Sequence, residues 1–295
     1  PPELMGFLKT ASVEGERFTA EVAADVQKID EAQALTRIRE ELDSQYQLIQ
    51  ADSSRRIDDH RLSRFRFRHI LFQKYLYNHL DIVERPELHE KIGRAIEVYY
   101  SGNLEEKFVS LAIHFELAGL PLKAIQYYDL AGKQAIVLSS YEDAIVHFNK
   151  ALALLETQPL NENKNQQELT LLMSLSVPLM FKGGFASSEL SIVSGRIVEL
   201  LDILPLKVEM FPIMHTLTQY YGLRAEYQKT LGVLNLAHQL AVTSEDELYL
   251  SLSDWGYGFL SLLFGGLEES LIRLEHMVNF YDFQEHHELR HTFGN

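Results

Sequence analysis

The sequence predicts a mainly α-helical protein in two parts: helices with a small β-hairpin in residues 1–100, then helical repeats over residues 101–295. Three observations predict it. A small–large–small triplet recurs at positions i, i+4 and i+7, which share one helical face. Gly and Pro punctuate the stretches of helical periodicity. Two short β-like runs flank a polar loop in the first hundred residues.

In chain order, helices are expected at 2–12, 18–27 and 30–44. Two β-like runs come next, Tyr46-Gln47-Leu48-Ile49-Gln50 and Phe65-Arg66-Phe67-Arg68. The polar loop Asp52-Ser53-Ser54-Arg55-Arg56 and its following residues join them. Helices are expected again at 70–80 and 86–100. Three helices followed by a hairpin is the order of a winged helix, so residues 1–100 are expected to form a winged-helix-like module.

The triplets of the second part are Ala124/Tyr128/Ala131, Ala144/Phe148/Ala151, Ser188/Ile192/Gly195, Thr230/Leu234/Ala237 and Ser270/Leu274/Met277. The last three begin 42 and 40 residues apart. At such a face a neighbouring helix approaches closely over the small residues and packs on the large one. Apolar stripes run through Leu190, Val193, Ile197, Leu200 and Leu204, and through Tyr227, Leu231, Leu234, His238 and Ala241. Ala118-Gly119 ends one helix and Pro121 opens the next. Ser139 with Glu142, and Ser244 with Glu247, read as capping boxes. Gly183-Gly184 and Gly265-Gly266 mark tight turns.

Small residues twelve apart, Ala112 and Ala124, Thr218 and Thr230, Gly258 and Ser270, resemble the inter-helix contact of the tetratricopeptide repeat. The period of about 40 exceeds that family's 34, so longer helices are expected. The family's large aromatic is mostly absent; Trp255 is the nearest case. The resemblance implies a tetratricopeptide-like α-solenoid at 101–295 that binds a protein or small effector and carries no chemistry of its own.

Composition narrows the classes. The chain has 295 residues, 46% hydrophobic and 23% charged, with no cysteine. Disulfide frameworks and thiolate metal sites are therefore excluded, and a cytoplasmic location is expected. Glu3, Lys9, Glu14, Glu16 and Arg17 break any apolar leader in the first twenty residues. Asp254 interrupts the most apolar window, so no membrane span is expected. Net charge is −15, of which −12 lies in residues 101–295. An acidic repeat region argues against a nucleic-acid backbone as its partner. Pro1 and the final His291-Thr292-Phe293-Gly294-Asn295 read as the ends of a fragment.

Longer runs carry a more specific resemblance. They are Leu8-Lys9-Thr10-Ala11-Ser12-Val13-Glu14-Gly15-Glu16-Arg17-Phe18 and Phe65-Arg66-Phe67-Arg68-His69-Ile70-Leu71-Phe72-Gln73-Lys74-Tyr75-Leu76-Tyr77. Leu88-His89-Glu90-Lys91-Ile92 and Ala112-Ile113-His114-Phe115-Glu116-Leu117-Ala118-Gly119 extend them. Together they resemble the winged-helix and repeat region of STAND-type signal-transduction ATPases. The resemblance implies an AAA-type nucleotide-binding domain upstream in cis, which would bind ATP or ADP. It also implies that His69, just after the second hairpin strand, reaches the ADP β-phosphate from a helix start. No Gly-x-x-x-x-Gly-Lys-Ser/Thr loop occurs, so the chain itself is expected to hold no nucleotide and not to be an enzyme.

Two other readings compete. Arg55, Arg56, Arg61, Arg64, Arg66 and Arg68 could lie along a DNA backbone, as in a transcription regulator. The expected third helix opposes this, with Asp30, Glu31, Glu40, Glu41 and Asp43 against Arg37 and Arg39. His287-Glu288-Leu289-Arg290-His291 matches the zinc-peptidase pattern, in which His287 and His291 would bind the metal. The charged Arg290, and the chain end four residues after His291, oppose that reading. No Gly-x-Ser-x-Gly elbow occurs.

Overall fold

The Phe65-Arg66-Phe67 alternation becomes a strand, and the Gly–Pro punctuation becomes helix ends, in the computed structural model, which describes residues 2–57, 60–160, 162–185, 187–280 and 282. The protein is mainly α-helical, with a small three-stranded antiparallel sheet. It divides into two compact units, Pro1–Gln158 and Pro159–Asn295.

The first unit opens with α1 (Pro2–Glu14). Gly15, at φ 131°, takes a backbone conformation that only glycine adopts freely and turns the chain into β1 (Arg17–Thr19). Next come α2 (Ala20–Gln27) and α3 (Glu31–Arg37). Asp30 caps α3, accepting from the Gln33 amide at 3.0 Å. The expected 30–44 helix does not run through uniformly. It widens into a π-helix over Ile38–Gln45, where Ile38 and Leu42 both reach the core.

Two longer strands come next, β2 (Ile49–Ile57) and β3 (His60–Phe67), and β3 lies between β1 and β2. The run expected as a polar loop is thus strand. Ser54, Arg55 and Arg56 pair with Ser63, Leu62 and Arg61 through the main-chain ladder. Asp52 to Arg56 are all polar, which removes the apolar alternation by which a strand is recognised. At the sheet's inner face Phe18 is fully buried, 5.3 Å from the Phe67 ring, 6.0 Å from Phe7 and 6.1 Å from Phe65. These rings, with Leu4, Leu8, Ile38, Leu42 and Ile49, form one core. The helices α4 (Ile70–Asn78) and α5 (Glu84–Tyr99) cover its sides.

A buried network ties this core to the segment after α5. Thr19 Oγ1 donates to Glu14 Oε1 (2.9 Å), and Tyr100 Oη therefore donates to Thr19 Oγ1 (2.8 Å). Arg55 and Lys107 both lie over the Tyr100 ring, at 5.4 and 4.2 Å. Lys107 Nζ also comes within 3.9 Å of the Glu14 carboxylate. Burial pushes the Glu14 carboxyl up, and Lys107 opposes the shift. Lys107 ends a 3₁₀ segment, Ser101–Lys107, that leads into α6 (Phe108–Leu117).

The helices α7 (Pro121–Val137) and α8 (Tyr141–Glu156) complete the unit, and each of α6, α7 and α8 packs on its sequence neighbour. Turns of three residues make these neighbours antiparallel. Ala112, Ala124, Tyr128, Ala144, Phe148 and Ala151 are all fully buried. Gly132 and Ala144 form a further pair twelve apart. A Cβ on Gly132 would lie 2.6 Å from Phe148 Cε1, so the missing side chain is what lets α7 and α8 approach.

The second unit contains α9 (Glu162–Gly183), α10 (Ser188–Ile203), α11 (Phe211–Leu223), α12 (Tyr227–Ser244), α13 (Glu247–Leu263) and α14 (Leu267–Phe280). Thr218, Thr230 and Ser270 are buried, as expected of the twelve-residue pairs. A Cβ on Gly258 would meet Leu274 Cγ at 2.9 Å, so α13 and α14 cross there. The triplet Ser188/Ile192/Gly195 is wrong: Ile192 is 74% exposed and Gly195 faces open space. The stripe Leu190, Val193, Ile197, Leu200 and Leu204 is the buried face instead, because it removes more apolar surface from water.

The capping boxes also move. Ser139 and Glu245 take positive φ (58° and 53°) inside the turns, so the N-cap positions fall on Ser140, whose hydroxyl donates to Asp143 Oδ2 at 2.6 Å and caps no amide, and on Asp246. Asp246 Oδ1 accepts from the Tyr249 amide at 3.1 Å. Asp246→Ala should therefore lower the stability of the second unit by about 1 kcal/mol, read as a shifted urea midpoint at constant m. Ser244→Ala, in the last turn of α12, should cost less than Asp246→Ala in the same assay.

Candidate functional site

The residue that the sequence singles out, His69, precedes α4 and opens its first turn. Its backbone is extended (φ −130°, ψ 122°) and its carbonyl accepts from the Phe72 amide at 3.0 Å. The side chain is exposed and caps no backbone group. Ile70, Leu71 and Tyr75, next to it on α4, are exposed as well. An imidazole held in the open at a helix start is free to donate to an anionic group.

The hairpin arginines are less free. Arg55 Nη1 donates to Glu106 at 2.6 Å and Arg68 Nη2 to Asp43 at 2.7 Å. Arg17, on the neighbouring strand, faces Asp52 at 3.9 Å. Arg68 Nε also holds the Ile49 carbonyl (2.9 Å), and Arg61 Nε holds Ser54 Oγ (3.3 Å). Arg55 and Arg68 are therefore answered by carboxylates within the fold, which weakens the hairpin as a phosphate track. The sequence shows the arginines; their carboxylate partners lie 25 and 51 residues away and cannot be read from spacing.

In the helical elements, the face of α6 opposite its buried Leu111, Ala112 and Phe115 carries Val109, Ile113 and Leu117, all exposed. These lie at i, i+4 and i+8 and make a continuous apolar stripe. On α13, Trp255 stacks on Phe259 (5.3 Å, 2° between planes) and approaches His215 of α11 at 5.0 Å. Both rings are half-buried. Burial pushes His215 down to about 4, so it is neutral at physiological pH.

No family model matches the chain, and no curated protein matches it. His287, Glu288 and His291 lie outside the described residues. Among the described residues, no three His, Asp or Glu side chains are placed to hold a metal ion, and no helix is long and apolar enough to cross a membrane.

Two polar features of the first unit escape sequence reasoning. One is a buried histidine pair: His89 Nδ1 and His114 Nδ1 lie 2.9 Å apart, and Tyr77 Oη bonds His89 Nε2 at 2.9 Å. The other is Glu21, 2% exposed, which accepts from the Ser63 amide at 2.8 Å through Oε2. Its other oxygen, Oε1, is buried without a partner. A signal for Glu21 does exist: one carboxylate stands inside the apolar run Ala20-Glu21-Val22-Ala23-Ala24. The histidine pair has none, because its members are 25 residues apart on different helices.

Proposed function

We propose that the chain is the sensor part of a multidomain signalling ATPase, in which a winged-helix module relays partner binding on tetratricopeptide-like repeats to a nucleotide-binding domain. It is a non-catalytic, cytoplasmic regulatory segment. The carrying observation is the set of buried small residues twelve apart, at Ala112 and Ala124, Gly132 and Ala144, Thr218 and Thr230, Gly258 and Ser270. Close helix neighbours of this kind leave the other helix faces for recognition, and the Val109–Ile113–Leu117 stripe is such a face. The order helix, strand, helix, helix, strand, strand, with β3 central, supports the winged-helix reading.

The resemblance to STAND-type ATPases supplies the mechanism. His69 holds the β-phosphate of ADP on the neighbouring domain and so favours a closed state. A partner that binds the open state better shifts the population toward it, by no more than its difference in affinity. Carboxylates that occupy Arg55 and Arg68 favour this reading over DNA binding.

The test uses the full-length protein. His69→Ala should speed ADP release about tenfold or more, the effect of removing one charge-assisted hydrogen bond. It should leave the urea midpoint of this region unchanged, since the exposed imidazole caps nothing. An unchanged ADP release rate would end the proposal for His69. Absence of a phosphate-binding loop in the upstream coding sequence would end it for the ATPase.

A further inference from the structure

Between α2, α3, the start of β3 and the end of α5 lies an open cleft of about 960 Å³, within the size range of small-molecule sites. Glu21, Asp25 and Glu31 line it on one helix–turn–helix, and Tyr99 closes it from α5. Tyr99 Oη donates to Glu31 Oε1 at 2.8 Å, which leaves the other oxygen of that carboxylate unanswered from α5. Asp25 and Glu31 are exposed at the rim, and Glu21 is buried below them. Ile29 and Leu35 add apolar lining.

Glu21 decides which ligands suit the cleft. A carboxylate oxygen that is buried and without a partner costs free energy unless something donates to it. Burial pushes the Glu21 carboxyl up, and the bond from the Ser63 amide opposes this. A cationic charge arriving in the cleft would favour the ionised form of Glu21. Lys28, Arg39 and Arg61 also line the cleft, yet among the described residues none of them bonds Glu21. Because no three carboxylate or imidazole groups are placed around a metal ion among the described residues, the donor fits an organic cation better than a bare ion.

We propose that this cleft is a binding site for a small organic cation, an alkylammonium or guanidinium compound, with Glu21 as its buried anchor and Asp25, Glu31 and Tyr99 on the surrounding walls. An aromatic ring and carboxylates lining one cleft are a usual means of recognising such groups. The site is independent of the ATPase reading, since it needs neither His69 nor a nucleotide-binding domain.

Agmatine is the probe, with N-butylurea as a neutral control, and binding is followed through backbone amide resonances of the whole chain. Agmatine should shift the amides of Glu21, Ser63 and Tyr99 saturably, and N-butylurea should not. Glu21→Gln removes the charge at nearly constant shape and should weaken agmatine about tenfold or more. If Glu21→Gln does not fold, the exposed pair Asp25→Asn and Glu31→Gln takes its place, with weakened binding again expected. The proposal is overturned if agmatine gives no saturable shift, if N-butylurea binds as well, or if the folded variant keeps the wild-type affinity.

Discussion

Phe148→Ala should destabilise the first unit by about 3–5 kcal/mol. The ring is fully buried, and it fills the notch left by Gly132 between α7 and α8. The reverse change at the same contact should also destabilise. Gly132→Ala places a methyl 2.6–2.9 Å from three atoms of the Phe148 ring, an overpacking of about 1–3 kcal/mol. Gly132→Ala and Phe148→Leu should each lose stability alone, but the double variant should lose less than the sum of those two losses, because the smaller side chain yields to the methyl. Urea midpoints of the four proteins measure the coupling. Additive losses would mean that the two residues do not share a contact.

Acid should unfold the first unit through His89 and His114. Burial pushes His89 down to about 4, helped by Arg85, and pushes His114 down to about 3, helped by His89 and Lys107. With both rings neutral, one Nδ1 donates to the other; with both protonated, N–H would face N–H. Both folded values lie below the unfolded value of about 6.5. The stability that depends on neutral rings is therefore fully present above about pH 6.5 and is lost as pH falls through 6 and 5 toward 4, where only the unfolded chain binds protons. His114→Gln keeps a donor and an acceptor but cannot titrate. It should flatten the pH dependence of the urea midpoint while lowering its value at pH 7. A wild-type midpoint that stays level from about pH 7 to about pH 4.5 would show that the pair binds protons equally in the folded and unfolded chain, against this account.

Much of this architecture can be read from residues that act locally. Gly119 and Pro121 stop and start helices through their own backbone chemistry, and Phe65-Arg66-Phe67 states its own alternation. The twelve-residue pairs are legible because a helix contact needs small side chains at both crossing points. Where two patterns compete on one helix, the larger buried volume decides. This is why Leu190, Val193 and Ile197 face inward on α10 and Ile192 does not.

Other features depend on partners distant in sequence. β1 is three residues long and exists because Phe18 and Thr19 pair with Phe65 and Arg64 across the sheet. The Ser53–Arg56 stretch is strand through its ladder alone, and its composition reads as loop. Gly132 stands in a helix, where sequence rules count it as a weakness; only the opposing Phe148 ring explains it. At the level of sites, His69 is visible because it comes after a strand and opens a helix. The cleft is not, since Glu21, Glu31 and Tyr99 converge from three helices.

Tyr100 limits where the chain can be divided. Its hydroxyl, Thr19 and Glu14 form a relay whose nearby ammonium group belongs to Lys107, seven residues downstream. A cut placed between the sheet-bearing half and its following helices would strand a desolvated carboxylate without its counter-ion and bare one side of an aromatic ring. The smallest piece that keeps this electrostatic knot closed must extend past Lys107, and the natural end is Gln158.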